Sequence, residues 1–262
     1  MLNTILCLLA GAFAHIGVNT LNEFLNFKSG LDKTTKRTPF SGGSGALIVK
    51  PELSSYVLSI SIISIILTIA IGVYFVILRG VLLALLLSIG LFLVIMYDIV
   101  IVKRPILCYF APGIGFGLVF IIGTEIVLTG NYSGESIICS SISLISISNI
   151  LLLNQYPDID ADKQVGRKNI PIVWGTKNAN IFYIGTCIVL FLSIIGAVVF
   201  NTLPIYSLII LIFIIPSIII SDNLIKYTNN IKKLETFLGL NIIMNLGIVM
   251  SLAIVFILDR LI

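Results

Sequence analysis

The chain has 262 residues, 58% apolar and only 11% charged, with a net charge of +4 and a mean hydropathy of +1.14. These proportions lie far from those of a water-soluble globular domain. The four cysteines, Cys7, Cys108, Cys139 and Cys187, stand singly in apolar segments and read as small core residues.

Apolar runs of about twenty residues, each long enough to cross the hydrocarbon core, recur along the whole chain. They predict eight spans, near residues 2–22, 53–78, 80–99, 108–129, 135–155, 178–200, 203–221 and 236–258. The expected fold class is therefore all-α, a polytopic transmembrane helical bundle. Long charged connections alternate with short, nearly uncharged ones. The first, third, fifth and seventh, with their flanks, hold fourteen of the sixteen Lys and Arg residues, leaving only Arg79 and Arg260 on the other side. That bias predicts a multi-pass protein of the cell membrane with its charged loops in the cytoplasm. The positive net charge reports this orientation and needs no nucleic-acid partner. Both termini then lie outside, and no basic residue precedes the first span. A first helix normally carries flanking charge, so the expectation is a chain lacking an N-terminal helix.

On the first span, His15 reads as a satisfied core histidine. Further along, Asn19, Asn22, Glu23 and Asn26 fall at i, i+3, i+4 and i+7, one helical face of polar oxygens ending an apolar run. Such a face is costly in lipid and is expected to look into the bundle or a wet cavity. Asn19 alone reads as an interhelical hydrogen-bonding residue. Asn22, Glu23 and Asn26, continuing to Asp32, read as a ligand site. The segment Ser41 to Gly45 resembles a phosphate loop, but no G-K-[ST] follows and no strand precedes it, so it reads as a connection. Asp98 and Glu125 are single acids near span ends, and Trp174 and Tyr183 read as interfacial anchors.

The counterpart stretch runs from Asn154 to Lys168, N-Q-Y-P-D-I-D-A-D-K-Q-V-G-R-K, where a membrane helix meets water. Charged loops are common in membrane proteins, and D-x-x-x-D alone recurs by chance. The matching first stretch shifts the balance toward function. If the helix continued, Asn154, Asp158 and Asp162 would share one face, although Pro157 interrupts it. Lys163, Arg167 and Lys168 follow at once. Acids able to hold a hard divalent cation beside bases able to hold an anion point to a metal–phosphate site.

These two stretches resemble the motifs of the UbiA superfamily of intramembrane prenyltransferases, in particular its 1,4-dihydroxy-2-naphthoate polyprenyltransferase (menaquinone biosynthesis) branch. The family's N-D-x-x-D-x-x-x-x-x-D matches N-E-F-L-N-F-K-S-G-L-D from Asn22 to Asp32. Its N-x-x-R-D-x-x-x-D-x-x-x-G-K-R-T matches N-Q-Y-P-D-I-D-A-D-K-Q-V-G-R-K-N from Asn154 to Asn169. The segment G-T-E-I-V-L-T-G from Gly123 to Gly130 is also similar to a family segment. The resemblance implies a single membrane domain over 1–262, beginning at the second of the family's nine helices, with a central cavity open to the cytoplasmic side. Glu23 and Asn26 stand where the family has two aspartates, and Pro157 where it has an arginine.

The resemblance also implies a Mg²⁺-dependent transfer of a polyprenyl group from an allylic diphosphate to an aromatic acceptor. Asn22, Glu23, Asn26, Asp32, Asp158 and Asp162 are the implied metal ligands, with Glu23, Asn26, Asp32, Asp158 and Asp162 carrying catalysis. Asn19, Asn22, Lys28, Arg37, Asn154, Lys163, Arg167 and Lys168 are the implied substrate contacts. The partners are the polyprenyl diphosphate, a small acceptor and the lipid bilayer. Two alternatives stay open: a non-quinone acceptor such as geranylgeranylglyceryl phosphate, and a non-catalytic membrane paralogue or transporter.

Overall fold

The computed structural model describes residues 1–35, 38, 43–228 and 230–259. Helix α1 (Leu2–Ser29) ends at Gly30, whose φ of 79° is left-handed, and turns into the short α2 (Leu31–Thr34). After α3 (Ala46–Val49) come α4 (Ser54–Arg79) and α5 (Val81–Met96). The next span joins α6 (Pro105–Gly113), a π-helical stretch Ile114–Val119 and α7 (Phe120–Thr129). Then follow α8 (Gly134–Asn154), the short α9 (Ile159–Gln164) and α10 (Ile170–Val173), and α11 (Gly175–Val199). A 3-10 stretch Ile205–Phe213 runs into α12 (Ile214–Tyr227), and α13 (Ile231–Asp259) closes the described chain.

Seven of these segments are long and apolar enough to cross a membrane, and the expected third span is the shorter helix Val81–Met96. Sixteen residues make a helix of about 24 Å, shorter than the ~30 Å hydrocarbon core. It stops early because the chain leaves the helix at Tyr97 and turns through Asp98 to Val100. The exposed large apolar side chains are distributed over the outer helix faces, as a lipid-facing surface requires.

Two halves pack differently. In the second, α8 lies against α6, α11 and α13 around the largest apolar core. Buried amides join its helices: Asn149 Oδ1 accepts from the Tyr109 and Thr186 hydroxyls at 2.9 and 2.8 Å, and Asn241 Nδ2 donates to the Asn149 carbonyl at 3.0 Å. Tyr183, expected at the membrane interface, is instead fully buried and donates to Asn241 Oδ1 at 2.9 Å. With no water available, its hydroxyl needs such a partner. Trp174 stays partly exposed, with its indole edge-on to Phe182.

Small residues set the closest helix approaches. Pro112 lacks the N–H a helix would use and precedes the π stretch, which lies on α8. A methyl group on Gly117 would stand 2.7 Å from the Leu144 backbone nitrogen and 2.9 Å from the Ser140 carbonyl oxygen. Gly117→Ala is therefore expected to lower the melting temperature of the detergent-solubilised protein, by an overpacking cost of about 1–3 kcal/mol. An unchanged melting temperature would mean that the two helices separate freely.

The first half is looser. Helices α1 and α4 pack closely at Gly17, where Ser61 Oγ donates to the Gly17 carbonyl at 2.9 Å. Between α1, α4, α5 and the α6–α7 span lies a cavity of about 410 Å³. Its walls are mostly apolar and run from Cys7, Leu83 and Val127 to Asn19, Asn22 and Tyr97. His15, expected as a satisfied core residue, lines this cavity with its ring edge-on to Phe116 of the π stretch.

Candidate functional site

The polar end of the cavity is where the first, third and fifth connections meet. Helix α8 stops at Asn154, and the chain turns through Gln155, Tyr156 and Pro157 before α9 starts. A residue before proline avoids the helical region, and Tyr156 uses the break to bury its ring and donate to Asn180 Oδ1 at 2.6 Å. The expected continuous face from Asn154 to Asp162 is thus broken. Asp158 and Asp162 still sit one turn apart, because the Asp162 N–H donates to the Asp158 carbonyl at 2.8 Å.

Arg167 joins the two sequence motifs. Its Nη2 donates to Asn26 Oδ1 at 2.6 Å and to Asp98 Oδ1 at 2.8 Å, and its Nη1 reaches Asp162 Oδ1 at 3.2 Å. Asp98 also accepts from Asn22 Nδ2, at 3.1 and 2.9 Å to its two oxygens. Asn22 Oδ1 in turn accepts from Asn26 Nδ2 at 2.8 Å. The second oxygen of Asp162 accepts from Asn169 Nδ2 at 2.9 Å, while Asn169 Oδ1 caps α10 by accepting from the Ile172 N–H. Asp98 is the residue that sequence reasoning undervalued. Its signal was a lone acid near the end of the third span, a few residues before Lys103 and Arg104.

The network is only partly wet, with side-chain exposures of 18% for Arg167, 11% for Asp98 and 4% for Asp162. Burial pushes the Asp98 carboxyl above its usual range, against the pull of Arg167 and the Asn22 amide. Asp162 shifts the same way, with burial again the leading cause and Arg167 opposing it. Burial by itself would make Arg167 easier to deprotonate, yet Asp162 and then Asp98 outweigh it and raise its pKa.

The other oxygen donors of the two motifs lie around this network. Glu23 accepts from Ser44 Oγ at 2.5 Å and from the Ser44 N–H at 3.4 Å. Asp32 is buried on α2, which packs against α9 of the second motif. A methyl group on Gly43, whose φ is +63°, would stand 3.5 Å from Glu23 Oε2 and 3.9 Å from Asp32 Oδ1, so both carboxylates border that turn. Asn154 Oδ1 is buried and accepts no hydrogen bond among the described residues. Among those residues, no three His, Cys, Asp or Glu side chains gather as a protein-only metal cage.

The expected basic contacts divide. Lys163 and Lys168 are exposed, and the Lys168 N–H holds the loop by donating to the Val102 carbonyl at 2.8 Å. Lys28 stands over the Phe24 ring, 5.8 Å from its centroid. Asn19 donates back to the His15 carbonyl at 2.8 Å while lining the cavity. Arg37 lies outside the described residues, as do Ser41 and Gly42. Glu125 belongs to the opposite end, where it accepts the Ser133 N–H at 3.0 Å.

No solved structure matches this chain. A similar curated protein is the 1,4-dihydroxy-2-naphthoate octaprenyltransferase of Bacillus subtilis (strain 168), 28% identical over 191 residues, covering 70% of this chain. The chain spans 58% of that relative's length. The model of the UbiA prenyltransferase family matches residues 1–247, a stretch containing both acidic motifs and every member of the Arg167 network. An arginine that ties the two acidic motifs together, bonded to Asn26 one helical turn from the cavity-lining Asn22, agrees with that match, and the chain belongs to the UbiA prenyltransferase family.

Proposed function

We propose that this chain is an intramembrane prenyltransferase that moves a polyprenyl group from an allylic diphosphate to an aromatic acceptor, similar to 1,4-dihydroxy-2-naphthoate. The observation that carries the reading is the joining of the two motifs through Arg167 at the polar end of an otherwise apolar cavity. The cavity suits a prenyl chain, and the charged mouth suits its diphosphate. In the reaction the allylic C–O bond breaks, diphosphate leaves with the bonding electrons, and a carbon of the aromatic ring takes the prenyl group and gives up a proton or a carboxyl group.

Mg²⁺ is the implied cofactor. It is held typically by one or two carboxylates together with substrate phosphates, which suits a donor set split between two motifs. Asn154 Oδ1, buried and without a hydrogen-bond partner among the described residues, and the carboxylates bordering the Gly43 turn fit that demand. Glu23, Asp32, Asn154 and Asp158 would hold the ion, which supplies charge neutralisation for the leaving diphosphate. Arg167, with Lys163 and Lys168 on the same loop, binds and orients the phosphate oxygens. Prepositioned cations of this kind stabilise charge that develops as the bond breaks. The apolar walls exclude water, which would otherwise capture the allylic cation.

The test is transfer from labelled prenyl diphosphate in membranes, with and without Mg²⁺, across a panel of acceptors. Prenylated naphthoate is the expected product. Product with geranylgeranylglyceryl phosphate alone would replace the acceptor, and no product with any acceptor would sink the reading.

Two further expectations arise here. The Arg167 network needs Asp98 and Asp162 ionised, and burial raises both pKa values. As pH falls, the charged forms are lost earlier than for an ordinary aspartate near 3.9. The acid limb of kcat/KM should therefore lie above that value, and a limb at or below it would contradict the coupling. The charged end should also face the cytoplasm. A cysteine replacing the exposed Lys163 should resist an impermeant thiol reagent added to intact cells, and labelling from outside would reverse the topology.

A further inference from the structure

Four side chains from three different elements close a ring. Asp98 accepts from Asn22 Nδ2, Asn22 Oδ1 accepts from Asn26 Nδ2, Asn26 Oδ1 accepts from Arg167 Nη2, and the same Nη2 donates to Asp98 Oδ1. Chemistry alone fixes the direction of each bond. A carboxylate only accepts, so Asn22 must present its amide nitrogen to Asp98. A guanidinium only donates, so Asn26 must present its oxygen to Arg167. The remaining groups, Asn22 Oδ1 and Asn26 Nδ2, are then a matched acceptor and donor. No other assignment of the two amides satisfies the ring.

We infer that Asp98 is a positioning residue of the diphosphate site, and that Asn26 is its matched partner rather than a weakened metal ligand. The inference rests on the transferase reading. It assigns the acidic charge missing at position 26 to position 98, on the same guanidinium nitrogen, Nη2. Asp98 fixes the orientation of Asn22 at the cavity wall and holds Arg167 between the two motifs, ready to meet phosphate oxygens. An aspartate at position 26 in this chain would remove the donor that Asn22 Oδ1 uses. It would also crowd a third carboxylate, beside Asp98 and Asp162, around one guanidinium.

The ring has one other self-consistent form. With Asn26→Asp and Asp98→Asn made together, Asn22 turns its amide over and donates to the carboxylate now at position 26. Its oxygen accepts from the amide nitrogen now at position 98, whose own oxygen accepts from Arg167. Every donor and acceptor is again used, in the reverse sense. The exchange therefore separates a matched ring from two independent sites.

The experiment compares the wild type, Asp98→Asn, Asn26→Asp and the double variant, all as full-length protein in detergent. Binding of a non-reactive prenyl thiolodiphosphate, the KM for prenyl diphosphate and the melting temperature are measured for each. Each single variant should weaken analogue binding and raise KM by about tenfold, the scale of one charge-assisted hydrogen bond. The double variant should return to within about threefold of wild type, since contacting sites couple strongly. A purely structural ring would recover the melting temperature without changing KM in the singles. That result, or a double variant as impaired as the product of the two singles, overturns the proposal. So does unchanged binding in Asp98→Asn, or a wild type that does not bind the analogue. If Asp98→Asn does not survive purification, the folded double variant decides by its analogue binding. A wild type that binds the analogue but prenylates no acceptor refutes the transferase reading, while the binding cycle still judges the ring.

Discussion

Replacing Arg167 with alanine should lower kcat/KM by about a thousandfold, the upper range for losing one prepositioned electrostatic group. The same change leaves Asp98 and Asp162 as half-paired carboxylates at 11% and 4% exposure. Breaking a buried ion pair by removing one partner costs about 3–5 kcal/mol, and the residual access to water here favours the lower end. Arg167→Lys should recover only part of the activity. A lysine keeps the charge but is a point donor, and it cannot serve Asn26, Asp98 and Asp162 with one planar fork. Steady-state kinetics beside thermal melting would check this. An alanine variant that melts lower but turns over normally would leave Arg167 with packing alone.

The second large effect is expected at the paired aspartates of the fifth connection. Asp158→Ala and Asp162→Ala should each reduce turnover by about a hundredfold or more, and for different reasons. Asp158 stands at the start of α9, four residues after Asn154, whose buried oxygen has no hydrogen-bond partner among the described residues. Its loss should raise the Mg²⁺ concentration needed for half-maximal rate. Asp162 holds Arg167 and Asn169 at once, so its loss should also lower the melting temperature. Near-normal turnover in both variants would remove the second motif from the chemistry. A Mg²⁺ requirement unchanged in Asp158→Ala would move the ion elsewhere.

The Asn26 position shows how far a motif comparison reaches. Measured against the family pattern, an amide in place of a carboxylate reads as a site that has lost charge, and Asn26→Asp as a repair. Three-dimensional placement supplies a different neighbour, because Asp98 accepts from the same guanidinium nitrogen as Asn26. The expected sign of Asn26→Asp therefore reverses, from improvement to loss. No local pattern around residue 98 announces this.

What the amino-acid sequence determines by itself is local and repetitive. The spans follow from apolar runs, since any helix in lipid must satisfy its own backbone and show apolar side chains outward. The polar face of Asn19, Asn22, Glu23 and Asn26 follows from the helical period, and the acid–base loop from Asn154 to Lys168 from its composition. Helix ends were less legible. The third span stops at Met96 because the chain turns through Asp98, and α8 breaks at Asn154 before Pro157. The tertiary structure alone decided which of these polar groups meet. Arg167 bonds to residues 141 and 69 positions away, and Tyr183 is buried because Asn241, 58 positions away, takes its hydroxyl. Such pairings depend on how whole helices pack, and periodicity, which is read within one helix at a time, carries no information about them.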